Sequence, residues 1–262
     1  MPDELGTMLL ATAGAVVAFM LLGWVTSLVM KDASIVDILW GSGFVVVAWT
    51  AFAAGDGYDG RKWLITIMAT LWGLRLSGYL AWRNIGKGED YRYQAMRRHW
   101  GPRFPIISLF TVFGLQGVLM YLVSMPLQVA QLSGTPGELT ILDYLGAAVF
   151  AVGLAFESIG DFQLARFKAD PANKGKVMDR GLWRYTRHPN YFGDCVVWWG
   201  IFLVALAEPW NVVVVFSPII MTVLLTRVSG VALLERSIGK RREGYDEYIR
   251  RTSSFIPMPP KS

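Results

Sequence analysis

The chain has 262 residues, of which 53% are hydrophobic and only 17% are charged, and it carries 11 Trp. A typical soluble domain has about 25% charged residues, so an ordinary water-soluble globule and a disordered chain are excluded. Cys195 is the single cysteine, which rules out intramolecular disulfides; with only His99 and His188 beside it, there is no ligand set for a structural zinc. The formal charge of +5 is distributed in a way that suits a membrane rather than nucleic acid.

A helix needs about 20 apolar residues to cross a bilayer. Residues 5–30 carry no charge, no Lys or Arg precedes them, and no small-residue cleavage site follows, so they read as a retained span rather than a signal peptide. A second run covers 33–55, with Asp37 inside it. Arg61-Lys62 follow a Gly-Asp-Gly turn and precede a third run, 63–83, which holds Arg75. The run 104–125 is uncharged and leads to a polar exit around Pro126 and Ser133-Gly134. Three more runs cover 140–160, with Glu157 near its end, 190–207, opened by Asp194, and 209–234, with Arg227 inside. These runs predict an all-α polytopic membrane protein of seven transmembrane helices, forming one domain over 1–262 with no internal repeat.

Lys and Arg favour the cytoplasmic side. They concentrate in 84–103, in 161–189 and in the tail 236–262, whereas the connections 125–140 and 208–211 have none. Seven spans with the N-terminus outside put all three basic segments in the cytoplasm, together with the C-terminus. Six spans would move one of them across.

An ionisable group within a span is costly, about 2.5 kcal/mol or more at mid-bilayer, and usually faces a cavity or a partner. Asp37 and Arg75 are therefore either a structural ion pair or the polar wall of a site. Trp72, Arg75, Leu76 and Tyr79 follow i, i+3, i+4, i+7 spacing and share a helix face; Gln116 is a further polar group in an apolar run. Glu157, Asp161 and Lys168 fall close to one face of the helix leaving the fifth span. Beyond them comes Lys176, and then Arg187-His188-Pro189-Asn190, with Asp194 just inside the next span. Clustered Lys and Arg at a helix start suit a phosphate, although juxtamembrane bases also serve to contact anionic lipid. No Gly-x-Gly-x-x-Gly loop follows a strand, so a nucleotide would bind in the cytosolic mouth of the helical bundle.

The stretch Glu157 to Asp194, ending Gly-Leu-Trp-Arg-Tyr-Thr-Arg-His-Pro-Asn-Tyr-Phe-Gly-Asp, resembles the steroid 5α-reductase family, and most closely its bacterial branch. That branch is also similar to this chain in Val-Asp-Ile-Leu-Trp-Gly (36–41), in Arg75-Leu-Ser-Gly-Tyr79, in Gly88-Glu-Asp-Tyr-Arg-Tyr-Gln-Ala-Met-Arg97 and in the tail 244–257. The resemblance implies a seven-helix membrane enzyme that uses NADPH to reduce the Δ4 double bond of a 3-oxosteroid. It assigns cofactor contacts to Asp161, Asn190 and Asp194. Lys168 and Lys176 stand where the eukaryotic enzymes have Arg, and Glu157 stands where they have Asn. Trp198 matches a steroid-lining Trp and Asp37 a Glu beside the steroid ketone. Trp72 stands where that Glu has a Tyr partner, which leaves Tyr79 as the expected acid. In the tail, Arg241, Tyr245 and Tyr248 are cofactor candidates.

The expected catalytic pair is thus Asp37 and Tyr79, with Asp37 either protonated and donating or ionised and orienting the phenol. The expected cofactor residues add Arg75, Arg187 and His188, and the substrate residues are Trp72, Gln116 and Trp198. No metal and no nucleic acid is expected. The substrate is a steroid-like or other lipid enone, and the chain is expected to be a monomer in a bacterial inner membrane. Arg187-His188-Pro189-Asn190-Tyr191 also occurs in isoprenylcysteine methyltransferases, so S-adenosylmethionine-dependent methyl transfer is the alternative. A transporter or lipid-binding scaffold is a third reading.

Overall fold

The computed structural model describes residues 2–228, 230–231, 235 and 244–261. Helices form the architecture, and the described residues contain no strand, only one isolated bridge between Thr186 and Ser253. Six helical segments are long and apolar enough to cross a membrane: Glu4–Met30, Ile35–Ala54, Asp59–Asn84, Tyr91–Val123, Ile141–Ala169 and Pro209–Val228. The run expected at 190–207 is a 17-residue helix, Pro189–Ala205, about 25 Å long at 1.5 Å per residue. The fold divides into two compact units, one over 1–144 with 204–214, the other over 145–203 with 215–262.

The first unit is built on α1 (Pro2–Met30), α2 (Ile35–Ala54) and α3 (Asp59–Asn84). α2 and α3 pack almost backbone to backbone. A Cβ on Gly41 would lie 2.4 Å from the Gly73 carbonyl oxygen, and one on Gly73 would lie 2.4 Å from that of Gly41. Small residues permit such an approach in a bilayer, where packing rather than water exclusion holds helices together. Next come α4 (Tyr91–Trp100), then a rod of α5 (Phe104–Ser108), a π-helical turn (Leu109–Gly114) and α6 (Leu115–Val123). The segment 84–103, expected as a loop, therefore contains a helix.

Two further expectations are revised here. The polar exit after Pro126 is a helix, α7 (Met125–Leu132), whose Gln128 and Gln131 are fully buried. Gln128 accepts from the Thr12 hydroxyl at 2.6 Å, and Gln131 donates to Thr66 at 2.7 Å. The two glutamines find their hydroxyl partners on α1 and α3, so polarity here marks interhelical hydrogen bonds and not an exit to water. Second, α3 starts at Asp59, which brings Arg61 and Lys62 into the helix. Arg61 is fully buried and paired with fully buried Asp143 at 2.9 Å; it also donates to the carbonyls of Ser133, Pro136 and Glu138. Lys62 donates to the Gly55 carbonyl at 2.6 Å.

In the second unit α8 (Ile141–Ala169) and α9 (Pro189–Ala205) cross at very short range. A Cβ on Gly193 would lie 2.4 Å from the Glu157 nitrogen, one on Gly153 2.6 Å from the Val197 nitrogen, and one on Gly200 2.6 Å from the Phe150 nitrogen. Rising numbers on one helix meet falling numbers on the other, so the pair is antiparallel. α10 (Phe216–Val223) follows, with Thr222 beside Cys195 and Trp199 of α9, and α11 (Tyr245–Arg251) lies in the tail.

Candidate functional site

In the first unit Asp37 lies in the first turn of α2. A carboxylate is favourably placed at that positive end of the helix dipole. Its hydrogen-bond donors are Arg92 Nη2, at 2.5 Å, and the Tyr93 hydroxyl, at 2.7 Å, both from α4. Asp90 caps α4 by accepting from the Arg92 backbone N–H and also holds Arg92 Nε at 2.8 Å. Glu89 accepts from the Ala33 N–H at 2.9 Å and from Arg97. Burial pushes the Glu89 carboxyl up, but the bonds from Arg97 and Ala33 prevail and hold it below the usual range. Residues 89–97 thereby clip the corner between α1 and α2. Accepting from both a guanidinium and a phenol, Asp37 fixes the position of the α4 side chains. The phenol it orients is Tyr93, where Tyr79 was expected.

Tyr79 lies further along α3 within 6 Å of two cations, with the Arg75 guanidinium 5.6 Å from its ring centroid and that of Arg83 at 5.7 Å. Trp72 is fully buried against Phe44, ring centroids 5.5 Å apart. Gln116 is half-buried on α6.

In the second unit the α8–α9 crossing gathers the polar candidates. Glu157, Asp161 and Asp194 are all buried. Gly193 lies against the Glu157 backbone, so Asp194 sits at the level of Glu157. One turn further on, Asn190 Nδ2 donates to Asp161 Oδ1 at 3.0 Å, and a Cβ on Gly160 would lie 3.1 Å from the Asn190 nitrogen. Trp198 is fully buried on α9. The connection between the helices is a hairpin around Phe167, Met178 and Trp183. Gly181 is required there: its φ is +59°, and a Cβ would strike the Gln163 amide at 2.4 Å. Arg166, Lys168, Lys174, Lys176, Arg180 and Arg184 are exposed around this hairpin. Among the described residues no group of His, Cys, Asp and Glu could hold a metal ion.

Arg187 and His188 serve the fold. Arg187 bonds Glu235 at 2.8 Å and donates to the Ile249 and Thr252 carbonyls, while His188 Nε2 lies 3.2 Å from Glu235. The backbone N–H of Arg187 donates to the Ser253 carbonyl, and the Tyr248 hydroxyl donates to that of Trp183. Burial pushes the Tyr248 phenol up, so it stays a donor. Tyr245, also buried, has its ring centroid 6.0 Å from that of Tyr248. These bonds strap the tail to the segment that starts α9. Arg241 lies outside the described residues.

The His188 hydrogen bond, opposed by burial and helped by Arg187, holds the Glu235 carboxyl below the usual range. A carboxyl depressed in the folded state contributes stability above its unfolded pKa and loses it as pH falls through the folded one. The melting temperature should therefore drop on acidification below the ordinary Glu range, and Glu235→Gln should flatten that part of the pH profile.

Arg92, Tyr93, Asp143 and Glu235 were not singled out as site candidates from the sequence. Arg92 and Tyr93 lie within the segment 88–97 that carries part of the family resemblance, and Arg92 is also one of the bases concentrated in 84–103.

A helical chain with six spanning segments and buried carboxylates in two polar clusters is a multi-pass integral membrane protein. The chain belongs to the DUF1295 family, described as proteins of unknown function, whose model matches residues 23–252; these are steroid 5α-reductase-like membrane proteins. It is 28% identical over 210 residues to the uncharacterized protein C594.04c of Schizosaccharomyces pombe, covering 69% of this chain and 59% of that protein. It is 44% identical over 57 residues to a probable O-methyltransferase, ustE, of Ustilaginoidea virens, covering 21% of this chain and 20% of that protein. The chain thus spans less than two thirds of either relative. No solved structure matches.

Proposed function

We propose that the protein is an NADPH-dependent reductase of a membrane-soluble enone, a 3-oxo-Δ4-steroid or a lipid of similar shape. The observation that carries this reading is the Asn190–Asp161 hydrogen bond at the glycine-lined α8–α9 crossing, beside a hairpin edged with exposed cations. Kinship to steroid 5α-reductase-like proteins supports it. The proposal includes seven spans, with the 17-residue α9 as the seventh, the N-terminus outside and the basic segments in the cytoplasm. The fully buried Arg61 and the buried Lys62 are consumed by internal contacts, which accounts for two basic residues on the outer side of that topology.

The residues fit the cofactor. Donation from Asn190 Nδ2 to Asp161 leaves Oδ1 as an acceptor for the carboxamide of a nicotinamide. Asp161, Glu157 and Asp194 can accept from ribose hydroxyls or amide protons. The exposed Lys168, Lys176, Arg180 and Arg184 can pair with phosphates; Arg187, His188, Tyr245 and Tyr248 support the wall, and Arg241 belongs to the same proposed set. When bound, NADPH supplies the hydride that reaches the β-carbon of the enone. Negative charge then develops on the carbonyl oxygen and a proton is added at the α-carbon, which yields the saturated ketone. A positioned donor to that oxygen contributes roughly 2.7–4 kcal/mol. Tyr79 is the proposed acid, because the Arg75 and Arg83 charges beside its ring offset the negative charge left by a departing phenolic proton. Asp37 holds Tyr93 and α4 in place, and Trp72, Gln116 and Trp198 are the proposed substrate residues.

The test is purified protein in detergent with NADPH and a 3-oxo-Δ4-steroid, followed by loss of NADPH absorbance. Absence of both turnover and an NADPH-dependent rise in melting temperature would overturn the reading. The methyltransferase reading rests on the 57-residue match to a probable O-methyltransferase; stabilisation by S-adenosylmethionine but not by NADPH would favour it, since a ligand that binds the native state stabilises by mass action. Asn190→Ala should weaken NADPH binding by about tenfold or more, the value of one hydrogen bond to a polar or charged group, with less effect on turnover at saturating NADPH. Titration calorimetry or a thermal-shift titration measures it.

A further inference from the structure

The first unit carries a groove that the proposed reaction does not use. It lies between α1 and the α5–π–α6 rod, has a volume of about 490 Å³, and is lined by apolar groups such as Ala13, Met20, Phe113, Gly117 and Val118. Gly117 lets α1 come close at its floor, where a Cβ would meet Met20 and Val16 at 3.2 and 3.5 Å, and the π-helical turn Leu109–Gly114 forms one end of its wall. π-helical turns occur frequently at functional sites. Two hydrogen bonds tie its walls together. The Trp24 indole donates to the Pro105 carbonyl at 2.9 Å beyond one end, and the Tyr121 hydroxyl donates to the Leu9 carbonyl at 3.1 Å near the other. Val17 and Val118 on its rim are exposed, so it opens sideways from the helices.

The wall from Leu109 to Leu122 is about 20 Å long at 1.5 Å per residue. One leaflet of a bilayer is about 15 Å of hydrocarbon, half of the ~30 Å core. The groove therefore takes a chain the length of one leaflet. Its two ends differ in charge. Beyond the Trp24–Pro105 tie stands Arg103, exposed and about 9 Å along the rod from Leu109; Arg98, also exposed, precedes it in the last turns of α4. The Leu9–Tyr121 end has no Lys or Arg near it in sequence. A molecule with one long apolar chain and an anionic head at one end matches that asymmetry.

We propose that this groove is a binding site for one anionic phospholipid, with an acyl chain between α1 and α6 and its phosphate at Arg98 and Arg103. The lipid covers the apolar floor of the groove, and it holds α1 against the rod.

The test uses the full chain purified in mild detergent, with native mass spectrometry and thermal unfolding as readouts. One retained phospholipid per chain is expected, exchanging with added phosphatidylglycerol in preference to phosphatidylcholine. Arg103→Gln should lower that preference about fivefold, the worth of one basic residue at a membrane surface. Ala13→Phe, which fills the groove from α1, should abolish retention. Both variants should still be stabilised by NADPH to the wild-type extent, so failure here is distinguishable from failure of the reductase reading. Equal retention by Ala13→Phe and wild type, no phospholipid in the wild type, or no head-group preference would overturn the proposal. So would loss of enone turnover in Ala13→Phe with lipid retention intact, because the groove would then belong to the substrate.

Discussion

Gly193→Ala is expected to lower the melting temperature sharply and, on the reductase reading, to abolish NADPH binding, whereas Gly78→Ala should leave the protein slightly more stable. Both residues sit inside helices, where replacing glycine by alanine ordinarily gains up to about 1 kcal/mol. At Gly78 nothing lies within 4 Å of the new methyl, so the gain is kept. At Gly193 the methyl lands 2.4 Å from the Glu157 nitrogen and 2.6 Å from the Gly153 carbonyl oxygen. These are backbone atoms of α8 and cannot rotate aside, so the helices must part. Overpacking costs typically 1–3 kcal/mol, and a backbone-on-backbone clash belongs at about the upper figure. Parting the helices also removes Asn190 from hydrogen-bonding reach of Asp161, and so stability and cofactor affinity fall together. Thermal unfolding with and without NADPH reads both effects. A Gly193→Ala protein as stable as wild type would mean that α8 and α9 are not in this close crossing.

Asp143→Ala is expected to be the most destabilising single change at the other polar knot. It leaves the Arg61 guanidinium fully buried beside three carbonyls with no counter-charge. Removing one member of a buried pair costs about 3–5 kcal/mol, because the remaining charge is stranded. The double replacement Arg61→Met with Asp143→Leu should recover part of that loss. It removes the stranded charge but leaves the carbonyls of Ser133, Pro136 and Glu138 without their donor, so recovery is incomplete. Thermal unfolding of the single and double variants in the same detergent measures the difference. A double variant no more stable than Asp143→Ala would show that Arg61 contributes through its carbonyl contacts and hardly through its charge.

Much of the membrane character was legible because a bilayer demands length and apolarity, and both are written linearly in the chain. The run at 5–30 falls within a described spanning helix, and those at 33–55 and 104–125 overrun theirs by no more than two residues at an end. The 190–207 run was harder, since its helix starts at a proline and is short. α7 was misread because Gln128 and Gln131 look like water-facing residues until Thr12 and Thr66, far away in sequence, are brought opposite them.

The site was legible to a similar degree. Helical spacing singled out Asp161, a place at a helix start together with the family resemblance singled out Asn190 and Asp194, and the structure brings Asp161 and Asn190 into contact. Asp37 was also visible as an isolated charge in an apolar run, but its donors were not. Arg92 and Tyr93 lie 55 and 56 positions away, on a helix that sequence reading took for a loop. Arg187 and His188 were read as cofactor ligands because they are basic and precede a helix; their bonds to Glu235 and to the tail carbonyls depend on contacts 47 to 65 positions distant.

By itself, then, the sequence determined that this is a helical membrane protein and which residue types accumulate near each helix end. Hydrophobic free energy is additive along a chain and needs no partner to be read. Only the tertiary structure decided which charge meets which, which phenol Asp37 holds, and where glycine lets two backbones touch. Hydrogen bonds and steric contacts are short-ranged and pairwise, so their outcome waits until folding has brought the two partners together.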